Sequence, residues 1–163
     1  MKSDLAINLT TLMLVLLVSA CAQQPESPAP ETSVNVAEGL PRIVESNPQE
    51  RHLGELRMLT DGGENAEAYF SFAGNDLIFQ STRSPYGCDQ IFTLDIDSAE
   101  TSLASTGIGR TTCAYYLPDD EWIVYGSTHE GAPDCPPVPD HSQGYVWPIY
   151  PSYDIYRARP DGS

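Results

Sequence analysis

The chain has 163 residues, of which 23 are Asp or Glu and 8 are Lys or Arg, for a formal charge of −15 at pH 7. That balance excludes a nucleic-acid surface, because such binding rests on neutralising phosphates with Lys and Arg; it leaves divalent cations and basic protein surfaces as partners. About 110 residues remain to be ordered after the leader and linker described next, enough for one small domain.

Residues 1–20 read as a secretory signal: one Lys near the start, an apolar run from Leu12 to Val18, then small residues before Cys21. The run is too short to span a bilayer as a helix. Its ending, Val18-Ser19-Ala20-Cys21, resembles the bacterial lipobox. That resemblance implies lipidation of the Cys21 sulfur, cleavage before it and acylation of its new amino group. Ala22 in the next position implies, by the sorting pattern of enterobacterial lipoproteins, the periplasmic side of the outer membrane. The alternative is an ordinary secreted protein cut near Ala20 or Ala22.

Residues 21–50 hold the lipidated Cys and a stretch rich in Pro, Glu, Ser and Gln with no apolar periodicity. Such a composition predicts a disordered tether, about 30 Å in end-to-end distance for roughly 30 residues. Residues 51–163 form the folding part. His52 to Thr60 reads as one strand followed by the turn Asp61-Gly62-Gly63, and a lone strand ahead of a repeat array has a use in closing a ring and removing sheet edges.

The stretch Ala68 to Thr82, AYFSFAGNDLIFQST, returns ungapped at Ala114 to Thr128 as AYYLPDDEWIVYGST, an offset of 114 − 68 = 46 residues. Four of the fifteen paired positions are identical, and Phe70/Tyr116, Leu77/Ile123, Ile78/Val124 and Phe79/Tyr125 exchange like for like. Each copy is an aromatic run, a polar turn and an apolar run ending in Ser-Thr, which predicts a β-hairpin. A third strand follows at Gln90 to Leu94 in the first copy and at Asp154 to Ala158 in the second, and a fourth at Thr101 to Ser105. Four short strands per repeat of this size predict an all-β fold of about two antiparallel β-propeller blades. Both the second blade's missing outer strand and the stop in the turn Pro160-Asp161-Gly162-Ser163 lead to the expectation of an N-terminal piece of a longer protein, with a self-assembling two-blade unit as the alternative.

The order of aromatic strand, turn, Leu-Ile-Phe-x-Ser-Thr-Arg (Leu77 to Arg83) and Asp-x-Ile-Phe-x-Leu-Asp (Asp89 to Asp95) is similar to the TolB-type, WD-like propeller repeat of bacterial periplasmic proteins. The match covers roughly 51–163 and departs where Ala73-Gly74-Asn75 replaces Pro-Asp-Gly. The resemblance implies a binding scaffold in a cell-envelope assembly of the Tol-Pal type, with a protein partner held on a propeller face. The same repeat builds the propeller of dipeptidyl-peptidase-like serine hydrolases, so the alternative is the opening of such an enzyme, its catalytic domain lying elsewhere. A glycan-binding or glycan-cleaving propeller ranks behind both.

Blade order places three cysteines on one face. Cys88 and Cys135 fall in equivalent second loops, and Cys113 ends the crossover between blades. One disulfide is expected in an oxidising compartment, from Cys113 to Cys88 or Cys135 in preference to Cys88 with Cys135, with one thiol left over; the alternative is three reduced, buried cysteines. On the same face, residues 129–152 form an insertion whose cluster Tyr145-Val146-Trp147-Pro148-Ile149-Tyr150 is too apolar to stay solvated. Tyr145, Trp147 and Tyr150 are the candidate partner-binding residues, with packing cover as the alternative use. His129, Glu130, Asp134, Asp140 and His141 match no zinc or EF-hand spacing, so no metal or cofactor is expected. Asp119-Asp120-Glu121, Asp95, Asp97 and Asp161 read as turn residues. There is no Gly-x-Ser-x-Gly elbow, and Thr106 to Arg110 lacks the lysine of a phosphate-binding loop, so the chain reads as non-catalytic.

Overall fold

The computed structural model describes residues 33–34, 39–45, 47–146 and 149–163, all within one unit, Thr32–Ser163. The signal, Cys21 and Trp147 lie outside the described residues. Ten strands appear among them and no helix: β1 (Ser33–Val34), β2 (Arg42–Ile43), β3 (Arg57–Met58), β4 (Glu64–Phe70), β5 (Asp76–Thr82), β6 (Gln90–Asp95), β7 (Thr101–Leu103), β8 (Thr111–Tyr116), β9 (Ile123–Ser127) and β10 (Asp154–Ala158).

Three antiparallel sheets result. The first has the order β1-β7-β6-β5-β4, the second β10-β9-β8, and the third is the pair β2-β3. They do not close on one another. The repeat hairpins are β4-β5 and β8-β9, and the 46-residue offset extends to their irregularities. Both ladders shift register, between Ala66 and Tyr69 in one and between Thr112 and Tyr115 in the other. The bulged residues Glu67 (φ 52°) and Cys113 (φ 51°) occupy equivalent positions. A bulge adds a residue to one strand and re-aims the side chain it carries.

Alternation along each strand sends successive side chains to opposite faces. Ile78 and Ile91 of the first sheet join Ala114, Tyr116, Ile123 and Tyr125 of the second in one buried cluster, so these faces form the contact between the sheets. Each fully buried side chain of this size contributes about 1.5–3 kcal/mol. The neighbours of Ile78 and Ile91, Phe79 and Phe92, point the other way and pack with Leu94, Leu59, Tyr86 and Leu103. Over that second cluster lies the Arg83 guanidinium, 5.4 Å from the Phe79 ring and 5.0 Å from the Phe92 ring.

Two sequence expectations need correcting. Only Arg57–Met58 of the segment His52 to Thr60 is strand, and its partner is Arg42–Ile43. The Glu50 carboxylate accepts the N–H groups of His52 (2.6 Å) and Leu53 (3.3 Å), and Glu55 has φ 52°, so this backbone turns before it can extend. The stretch read as a tether also contributes strand: Ser33–Val34 pairs with Thr101–Ser102 and covers the outer edge of β7. A two-residue ladder needs no apolar pattern, which is why composition did not reveal it.

Candidate functional site

The β7 to β8 crossover is held by a buried polar network. The Gln90 amide donates to the Gly109 carbonyl (2.8 Å), the Ser105 hydroxyl donates to Gln90 Oε1 (2.8 Å), and Ser105 Oγ accepts the Ile91 N–H (3.0 Å). Gly109 has φ +65°, and a Cβ there would lie 2.8 Å from the His129 nitrogen, so only glycine passes. Its N–H donates to the Pro133 carbonyl at 2.6 Å, which ties the long β9 to β10 segment back across the crossover.

That tie explains the disulfide. The segment after Thr128 doubles back toward the β5 to β6 loop and brings Cys135 within 5.8 Å, Cα to Cα, of Cys88, and these two are bonded. The expected bond from Cys113 to one of them does not form; Cys113 is free and exposed. Cys113 sits in a left-handed bulge (φ 51°), and its N–H is accepted by Gln80 Oε1 at 3.1 Å. The Thr112 hydroxyl contact lowers the pKa of the Cys113 thiol, but burial and the neighbouring Glu67 carboxylate outweigh it and push it up. A protonated thiol is a poor nucleophile.

Between the two repeat sheets, under the β9 to β10 segment, opens a cleft of about 360 Å³. Glu67 and Gln80 line it from the first sheet, Cys113 from the second, Arg110 from the crossover leading into β8, and Tyr145, Tyr150 and Tyr153 from the covering segment. Arg110 is the unusual member. Its Nε is buried without a hydrogen-bond partner, and the nearest carboxylate oxygen, Asp89 Oδ2, is 3.9 Å away. The other Asp89 oxygen already accepts the Thr82 hydroxyl at 2.7 Å. Burial raises the pKa of Tyr153; Arg110 works against this shift and Asp89 with it, so the phenol stays a donor. Tyr150 donates to the Pro137 carbonyl at 2.7 Å, fixing one wall.

Of the aromatic candidates, Tyr145 and Tyr150 therefore meet at this cleft, with Tyr145 stacked on His141 at 5.6 Å. His129 is occupied elsewhere, its Nδ1 2.8 Å from Ser127 Oγ and its ring 4.1 Å from that of Tyr156. Asp140, Asp95 and Asp161 cap turns, each accepting the N–H and hydroxyl of a nearby serine, which holds their carboxyls below the usual range. Among the described residues no three His, Cys, Asp or Glu side chains gather to hold a metal. Arg110, Asp89, Glu67 and Tyr153 escaped sequence reasoning. The only signal for Arg110 was its rarity, one of 8 basic residues in an acidic chain.

A second, apolar cavity of about 290 Å³ lies below Leu59 against Leu77, Phe79 and Leu94, with no unpaired buried donor. No family model, curated protein or solved structure matches the chain.

Proposed function

We propose that this chain is a lipid-anchored binding module of the TolB-like β-propeller kind, facing the periplasm from the outer membrane and presenting its disulfide-bearing face to an envelope protein in a Tol-Pal-like assembly. One observation carries the reading: two sheets built from a 46-residue sequence repeat pack through a shared apolar cluster, while the segment stapled by Cys88 and Cys135 covers one end of their junction. Repeated sheets stacked in this way supply a rigid frame, and stapled loops on such a frame are where binding residues are held in place. The disulfide agrees with an oxidising compartment. In this reading the two sheets are blades, and Cys21 carries the lipid.

The test is fractionation of cells expressing the chain with its own leader, beside the Cys21→Ser variant. The parent protein is expected in the outer-membrane fraction and the variant in the soluble periplasm. A photo-crosslinking residue at Tyr145 is expected to trap an envelope protein. A Cys21→Ser variant that stays on the membrane removes the lipid anchor, and crosslinks confined to the chain itself remove the scaffold role.

A further inference from the structure

We infer that the Arg110 cleft is a binding site for a small zwitterion, an α-amino acid or short peptide whose carboxylate pairs with Arg110, whose ammonium is received by Glu67 and Asp89, and whose apolar side chain lies on the tyrosine wall. This goes beyond the scaffold reading, because a cleft of about 360 Å³ is of the size that takes a small molecule.

Arg110 holds an unspent donor. Guanidinium has five N–H groups in a fixed fork that matches a carboxylate through two parallel bonds. In this protein the Arg110 side chain is only 21% exposed, its Nε has no partner, and at 3.9 Å the Asp89 oxygen is beyond hydrogen-bond reach. Leaving a buried donor unmade is costly, because its hydration is lost with nothing in return. Buried polar groups are otherwise well satisfied nearby, as the Gln90, Ser105 and Gly109 network shows. Arg110 thus keeps one buried N–H unmade beside a loose ion pair with Asp89, and because its side chain lines the cleft a ligand carboxylate reaching the guanidinium would complete it.

Charge selects the ligand class. A simple anion would meet Glu67 and Asp89 as well as Arg110, inside a chain of net charge −15. A simple cation would be opposed by Arg110. A molecule carrying both charges satisfies both sides of the cleft and has no net charge to be repelled by the whole protein. The backbone supports the arrangement, since the bulge at Glu67 re-aims that residue beside the bulge at Cys113, its repeat equivalent. Tyr145, Tyr150 and Tyr153 supply aromatic surface, Tyr150 being held by its bond to the Pro137 carbonyl, and a cleft near the lower end of small-molecule pocket volumes fits one residue or two.

The test is calorimetric titration of the full chain, purified in detergent at neutral pH, with phenylalanine, 3-phenylpropionate and 2-phenylethylamine, which share an aromatic body and differ in charge. Phenylalanine is expected to bind about tenfold or more tightly than either single-charge analogue. Arg110→Gln should weaken phenylalanine and 3-phenylpropionate by about tenfold while leaving 2-phenylethylamine unchanged or tighter. Glu67→Gln should weaken phenylalanine and spare 3-phenylpropionate, which keeps the proposal open to refutation if the first variant misfolds. Phenylalanyl-glycine and glycyl-phenylalanine decide between a free amino acid and a peptide as the source, and either ranking sustains the site. Equal binding of the three analogues, no saturation by phenylalanine or either dipeptide below about 10 mM, or indifference to both substitutions overturns it. None of these outcomes depends on membrane anchoring or on a protein partner, so the scaffold reading stands or falls separately.

Discussion

Asp120 shows how one side chain acquires a role that its local sequence does not announce. Within Asp119-Asp120-Glu121 it reads as a turn residue, and it is one, with φ 52°. Its carboxylate also reaches across to the first repeat and accepts two backbone N–H groups, Phe72 and Ala73, each at 2.8 Å and 48 and 47 residues away. These donors belong to the equivalent turn of the first hairpin, so one carboxylate joins two copies of the repeat. Hydrogen bonds to a charged acceptor are the strong kind, and solvent at this half-exposed site reduces their worth. Asp120→Ala is expected to cost about 1–2 kcal/mol in urea denaturation, with Asp120→Asn recovering part of the loss because its amide oxygen still accepts. An unchanged midpoint in Asp120→Ala would reduce the contact to surface decoration. The partner's distance along the chain is the reason this residue was legible as a turn and illegible as a clamp.

At the scale of an element, the β9 to β10 segment was legible as stapled through its cysteine, though not to which partner, and the cover expected for its apolar cluster is not found at Tyr145, Val146 or Ile149, which are exposed. Blade equivalence set Cys88 and Cys135 a repeat apart and favoured Cys113 as the partner. The doubling back after Thr128, fixed by Ala132 N–H to Thr128 C=O at 2.7 Å and by the Gly109 to Pro133 bond, cancels that separation. A cross-link between residues 47 apart removes loop-closure entropy from the unfolded chain, about 4 kcal/mol in the chain-entropy treatment. The double variant Cys88→Ala/Cys135→Ala should therefore lose about 2–4 kcal/mol, and limited proteolysis should cut first within residues 129–152. Equal denaturation midpoints with and without reductant would show that the hydrogen bonds alone hold the segment.

For the whole molecule, stability rests on the apolar contact between the repeat sheets, and two of its members titrate. Tyr116 and Tyr125 are buried there. Burial pushes both phenols up, with Asp76 and Asp120 adding to the shift of Tyr116 and Tyr156 to that of Tyr125. A group whose folded pKa is raised contributes stability that is complete below its unfolded value, about 10 for tyrosine, and is lost as pH rises through the folded value. The protein should accordingly unfold on alkaline titration above about pH 10, with tyrosinate absorbance and loss of sheet signal appearing together. Tyr116→Phe, which removes the ionising group and keeps the ring, should move that midpoint to higher pH. The same midpoint in the variant would place the alkaline weakness elsewhere.

The amino-acid sequence alone determined the two hairpins, the third strand of each repeat and the fourth of the first, because alternation and turn chemistry act over a few residues. It marked the insertion as apolar but misjudged its cover, since among the described residues of the cluster Tyr145, Val146 and Ile149 are exposed. Tertiary structure decided which cysteines meet, which strand covers β7, what Asp120 clamps and where Arg110 comes to lie. Each of those outcomes pairs groups tens of residues apart, and their meeting depends on how two sheets stack and how one loop returns across them, which no local preference encodes.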